Sequence, residues 1–176
     1  MTGEDLNGIT SISKDIITRV PIFSGLSDAD FDILLKSLTP LILKSNEILF
    51  NYGDEGDAMY IIESGELEVS VHVSSLQQEE RVSLLSSGDF VGELSVLDGL
   101  PRTATVKAVS NVKLLEMKRN DFISFLLERP TVSVQIISEL GKRIRHSNDL
   151  VINIASKNPN KEVEMQLTFW DKLADK

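Results

Sequence analysis

From residue 41 to residue 118 the chain alternates short β-type runs with turn chemistry, and nothing else in it restricts the fold as tightly. The runs are "LILK", "EILFN", "AMYIIES", "ELEVSVHV", "RVSLLS", "TATVKAV" and "VKLLEMK". Between them stand "SN", "YGDEGD", "SG", "SSLQQEE", "SGD", "LDGLP" and "SN". Gly and Asn reverse a chain by accepting positive φ, and Asp and Ser do so by hydrogen-bonding their own backbone. Strands at intervals of roughly 8 to 12 residues belong to an all-β sandwich or barrel. In residues 66–71, Leu67, Val69 and Val71 fall on one face and Glu66, Glu68 and Ser70 on the other. That is the two-residue period of a half-buried strand. The segment predicts a mainly β fold, a jelly-roll-like β-roll of about eight strands.

Helical patterns flank the roll. Ile12, Ile16, Ile17 and Val20 recur at helical spacing before a break at Pro21. Ser27 then supplies an N-cap, and Asp28 and Asp30 suit the positive start of a helix. Phe31, Leu34, Leu35 and Leu38 make one apolar face, so this second helix is predicted to end near Pro40. After Lys118, "RNDFISFLLERP" predicts a short helix that stops before Pro130, and a longer one follows over residues 131–156. Along it Ile137, Leu140, Ile144, Ser147, Val151 and Ile154 recur in steps of 3 and 4, a heptad seam with one serine in it. Two readings of that stripe stay open, a helix laid on its own roll and a homodimer seam.

Charge and composition exclude several functions. Acidic residues outnumber basic ones 27 to 18, a net charge of −9, so no basic surface is expected for nucleic acid or an anionic membrane. Cysteine is absent, which excludes disulfides, zinc fingers and thiol catalysis. His72 and His146 are the only histidines, and no metal is expected. The N-terminus lacks the basic start and apolar core of a secretory signal. No apolar run approaches the ~20 residues that cross a bilayer. A cytoplasmic location is the expectation.

Residues 92–106, "GELSVLDGLPRTATV", hold one acid and one base nine positions apart, Glu93 and Arg102. Singly they are unremarkable. Glu93 suits a helix start, Arg102 a solvated turn, Gly92 a strand end and Pro101 a turn. Together they describe an anion site. A helix starting at Gly92 presents unpaired N–H groups, those of Leu94 and Ser95. Arg102 adds a permanent charge and a planar fork that matches two phosphate oxygens. A carboxylate beside bound phosphate is tolerable only if it faces another part of the ligand and accepts from a donor there. A sugar hydroxyl is such a donor. The pair therefore suits a monoanionic phosphate fused to a ribose with a free 2′-OH.

On these residues a resemblance rests. "GDFVGELSVLDGLPRTATVKA" resembles the phosphate-binding cassette of the cyclic nucleotide-binding domain family, shared by protein kinase A regulatory subunits, cyclic nucleotide-gated channels and bacterial catabolite activators. "PIFSGLS", "LFNYGDEGDAMYIIESGELEVSV" and the two closing helices follow the family's order across residues 21–150. The resemblance implies that Arg102 pairs with an exocyclic phosphate oxygen and Glu93 accepts the ribose 2′-OH. It implies that Gly92, Leu94, Ser95, Thr103 and Ala104 donate to phosphate or line the sugar. Ser147 and Asn148 resemble the hydroxyl pair that meets an adenine amino group, although Ser147 also suits a plain helix interface. Thr103 resembles a residue of cyclic GMP sites, while cyclic AMP is the ligand favoured here. Gly53 and Gly65 fall at turn glycines. Asn46 stands where a turn glycine is usual, and Val91 where an aromatic is common. The implied organisation is a helical lead-in over residues 1–20, the nucleotide domain over 21–150, and a tail over 151–176 leading into further chain.

The implied function is regulatory and not enzymatic: nucleotide binding rearranges the helices after Lys118 to control an effector. Arg102→Ala is then expected to weaken binding at least tenfold and leave the melt of the ligand-free protein nearly unchanged. A cupin-type enzyme needs inward histidines, and His72 has no second histidine within the roll. A helix-turn-helix regulator needs a basic recognition helix, which the residues after 150, with Pro159, do not supply. A ligand-free scaffold of the same fold is the remaining alternative, and intact Glu93 and Arg102 argue against it.

Overall fold

Eight short strands form two four-stranded antiparallel sheets in the computed structural model, which describes residues 14–23, 26–73 and 78–157. They are β1 (Leu38–Leu43), β2 (Ile48–Phe50), β3 (Ala58–Ser64), β4 (Leu67–Val73), β5 (Gln78–Leu85), β6 (Phe90–Val91), β7 (Thr105–Ala108) and β8 (Val112–Lys118). One sheet runs β1-β8-β3-β6 and the other β2-β7-β4-β5. This is the mainly β roll expected from the turn spacing. Alternation fills its interior: Ala58, Tyr60 and Ile62 of β3 meet Phe50, Leu67, Val106 and Ala108 of the second sheet. Leu67 and Val69 face that core as their spacing predicts. Ser70 on the opposite face is buried as well, beside Thr105 across the ladder.

The helices are α1 (Lys14–Arg19), α2 (Asp28–Lys36), α3 (Glu93–Asp98), α4 (Arg119–Glu128) and α5 (Pro130–Lys157), with a 3-10 turn at Pro21–Phe23. Ser27 caps α2 by accepting the Asp30 N–H at 3.2 Å, and Phe31 and Leu34 bury its inner face. Pro130 opens α5, where its missing N–H is one that a helix start leaves unpaired. α4 joins the N-terminal helices through apolar and charged contacts. Phe125 meets Phe23 edge to face at 6.0 Å, and Arg129 Nε donates to Asp30 Oδ1 at 2.7 Å.

Several boundaries differ from the sequence reading. The second helix stops at Lys36, and Leu38 and Pro40 belong to β1, paired with Met117 and Leu115. Leu38 continues the helical spacing of Leu34, but the ladder to β8 captures it. Pro40 is tolerated there because β1 has a ladder on one side only. Gln78, Glu79 and Glu80 are strand rather than turn, and β6 had no sequence signal. Asn46 has φ 72°, the only described non-glycine in the left-handed region, consistent with its place at a glycine-type turn. Ile12 and the turn residues 74–77 lie outside the described residues.

The chain divides into two compact units, residues 1–135 and 136–176. The roll, α3 and α4 belong to the first. In the second, Ile137 and Ile144 of α5 are exposed. The side chains of Ser147, Val151 and Ile154 lie outside the described positions.

Candidate functional site

Arg102 is fixed by its backbone before its side chain is considered. Its N–H donates to the Asp54 carbonyl at 2.8 Å, and its carbonyl accepts the Gly53 N–H at 2.9 Å. The cassette is thus stitched to the β2–β3 loop. The side chain turns inward and is 3% exposed. Nη1 donates to the Gly92 carbonyl at 2.9 Å and Nη2 to the Ala58 carbonyl at 2.7 Å. The guanidinium carbon stands 4.2 Å from the centre of the Phe50 ring, a cation–π contact, with Tyr60 further off at 5.8 Å. Burial pulls its pKa below the usual arginine value, opposed by Tyr60, Asp57, Asp54 and Glu93. It stays charged at neutral pH.

Two of the guanidinium's five N–H groups therefore bind carbonyls of its own chain. Arg102 Nε binds nothing. Among the described residues it is the only buried side-chain nitrogen or oxygen without a hydrogen-bond partner. An unpaired buried donor costs about 1–3 kcal/mol, and more on a charged group. An anion arriving in the guanidinium plane removes that cost, so the donor set fits an oxyanion.

Two glycines make the room for this side chain. A Cβ on Gly92, which has φ 84°, would lie 2.5 Å from Arg102 Nη1. A Cβ on Gly56 would lie 2.5 Å from Ser95 Cβ and 2.9 Å from the guanidinium carbon. The tightest neighbour of a Cβ on Gly92 is Arg102 itself, so the glycine at the start of α3 makes room for the arginine. Gly92 is also the N-cap of α3, a helix of only six residues with no side-chain cap.

The structure brings Gly92, Glu93, Ser95 and Arg102 together. Glu93 and Ser95 are buried at 3% and 2% exposure. Ala104 is half-buried, whereas Leu94 and Thr103 are exposed. Ser147 and Asn148 both lie on α5 in the second unit, and Asn148 is exposed. Sequence reasoning missed Phe50, Gly56, Ala58 and Tyr60, which come from β2, β3 and their loop. Burial of Arg102 also revises the expectation for Arg102→Ala. Removing one buried and one part-buried hydrogen bond and a ring contact must lower the stability of the ligand-free protein as well.

Two sheets closed over a core, with a buried arginine and a buried carboxylate in one segment, define a β-roll with a built polar site. The model of the cyclic nucleotide-binding domain matches residues 40–129. The chain belongs to the cyclic nucleotide-binding domain family. It is 28% identical over 153 residues to the CRP-like cAMP-activated global transcriptional regulator of Mycobacterium tuberculosis, covering 87% of this chain and 68% of that protein. The crystal structure of Thermus thermophilus catabolite activator protein matches with TM-score 0.70 and 29% identity, over 77% of this chain and 63% of that one. The regulatory subunit of a cAMP-independent protein kinase A from Trypanosoma brucei matches with TM-score 0.64 and 26% identity, over 73% and 45%. That last protein carries the fold under a name that states independence from cAMP, so shape alone does not fix a ligand. Among the described residues no helix is long and apolar enough to cross a membrane, and no three His, Cys, Asp or Glu side chains are grouped to hold a metal.

Proposed function

We propose that this chain senses cAMP in its cassette and passes occupancy to the helices after Lys118, which act on an attached or partner effector. The observation that carries the reading is Arg102, a buried guanidinium held in one plane with Nε unpaired. Its remaining N–H groups take exocyclic oxygens of the cyclic phosphate. Glu93 accepts the ribose 2′-OH, and the backbone of Gly92, Leu94, Ser95, Thr103 and Ala104 donates to phosphate or lines the sugar. Ser147 and Asn148 meet the adenine amino group. The domain occupies residues 21–150, after a lead-in over 1–20 and before a tail over 151–176. Differential affinity for two helix arrangements, typically worth about 1–3 kcal/mol, supplies the signal.

The cAMP-activated relative supports cAMP over cGMP. The hydroxyl of exposed Thr103 favours the opposite choice. Calorimetric titration with both nucleotides decides: tighter cGMP binding reverses the assignment, and binding of neither refutes the function. Two copies pair through α5, a reading supported by the exposure of Ile137 and Ile144, at 68% and 62%. Sedimentation is expected to show a dimer that Ile144→Glu dissociates; a monomeric wild-type protein overturns the pairing.

A further inference from the structure

A guanidinium binds an oxyanion only along its N–H directions, so what orients Arg102 matters as much as its charge. Its carbonyl partners hold two points of the fork, Nη1 on Gly92 at 2.9 Å and Nη2 on Ala58 at 2.7 Å. Two points leave one rotation, about the line that joins them. Nε, the donor without a partner, lies off that line and swings with the rotation. Gly56 leaves room beside it, where a Cβ would lie 2.9 Å from Nε. A third support comes from the second sheet. The Phe50 ring lies against the guanidinium carbon, with its centre 4.2 Å away, and the face of a ring attracts a cation.

Phe50 is the last residue of β2, and the ladder to β7 shifts register between Ile48 and Phe50. Such a bulge re-aims side chains. Here Leu49 and Phe50 both pack into the roll interior, which strict alternation forbids. The ring has its own neighbour, Tyr60, at 6.1 Å between centres and tilted by 32°. The Tyr60 hydroxyl donates to Glu116 Oε1 at 3.4 Å, and Lys118 Nζ donates to the same oxygen at 3.2 Å. We propose that Phe50 is a positioning residue of the site: its ring fixes the plane of the Arg102 fork and so aims the Nε–H at the place an oxyanion takes. This rests on the reading of the site as a cyclic nucleotide cassette. Phe50 acts through Arg102 rather than by touching the nucleotide. An aliphatic side chain of similar bulk fills the same part of the core but leaves the fork free to turn.

The test is a double-mutant cycle on the full chain, read by calorimetric titration with cAMP. Phe50→Leu keeps an apolar side chain and removes the ring, and it is expected to weaken binding by about five- to thirtyfold. In an Arg102→Lys background the same change is expected to cost less than about threefold, because an ammonium has no plane to hold. Phe50→Tyr keeps a ring and is expected to bind within about threefold of wild type. Melting temperature does not discriminate, since the ring belongs to the core and its loss lowers stability under any role. If Phe50→Leu does not fold, Phe50→Met takes its place with the same loss expected, because its unbranched chain fills irregular space. Full affinity in a folded variant without the ring overturns the proposal. So does an equal fold-loss in the two backgrounds, which is what packing alone gives. A wild-type protein that binds neither cAMP nor cGMP refutes the cassette reading and this inference with it. Nucleotide binding that is indifferent to Phe50 refutes the inference alone.

Discussion

Replacing Arg102 by lysine keeps the charge and removes the fork, which separates attraction from geometry. The guanidinium bonds Gly92 and Ala58 at 2.9 and 2.7 Å and still has Nε free. An ammonium has three donors on one atom and no second nitrogen. If it stays on either carbonyl it cannot also offer two in-plane donors to a phosphate. Loss of a hydrogen bond to a charged group is worth about 1.5–3 kcal/mol, and the upper part of that range is about a hundredfold in Kd. With cAMP at about 100 times the wild-type Kd, ligand stabilises the wild-type protein by about 2.7 kcal/mol. A variant with Kd raised a hundredfold gains only about 0.4 kcal/mol under the same conditions. The difference in ligand-induced Tm shift is on the order of 5–10 °C. Calorimetry gives Kd directly, and scanning fluorimetry with and without cAMP gives the shift. If Arg102→Lys binds within about threefold of wild type, a difference worth less than 1 kcal/mol, the fork is irrelevant and the argument from it fails. Arg102→Ala is expected to lose still more affinity. It should also cost the empty protein about 1–3 kcal/mol, because the Ala58 carbonyl loses its partner in a buried position.

Gly56→Ala places a methyl 2.5 Å from Ser95 Cβ and 2.9 Å from the Arg102 guanidinium carbon. It should weaken cAMP binding by at least about tenfold through displacement of Arg102, and unchanged affinity in calorimetry would show that the loop yields instead. Asp30 has its carboxyl pKa lowered by the Ser27 hydroxyl and then by Arg129. A lowered folded-state pKa contributes stability above the usual carboxylate range, and that contribution disappears as pH falls through the folded value. Urea midpoints of wild type and Asp30→Asn should therefore differ at about pH 7, and the gap should shrink as pH falls below the usual carboxylate range; a constant gap contradicts the assignment.

The strands were legible because their turns punctuate them. Asn46, Gly53 and Gly65 all adopt positive φ where the sequence places a reversal. β6 was not legible because two residues, Phe90 and Val91, cannot display a period. Leu38 misled because it sits four residues after Leu34, and only the partner strand β8 reveals which period it serves. The charged pair of the site was readable from residue type and spacing. Its surroundings were not, because the groups that hold Arg102 are two backbone carbonyls, a ring from β2 and the empty space at Gly56. Carbonyls are present at every position, and the Phe50 and Ala58 contributions come from more than forty residues upstream.

The outer strands of the two sheets, β1 and β6 in one and β2 and β5 in the other, have a consequence for life in a crowded solution. None offers a foreign chain a clean template for strand addition. β6 and β2 have two and three residues, Pro40 interrupts the donors of β1, and Val82 is an extra residue in β5 where the register slips between Ser83 and Arg81. Such interruptions are how soluble β proteins avoid amyloid-like stacking. The roll is left without a long uninterrupted border along which another chain could extend either sheet.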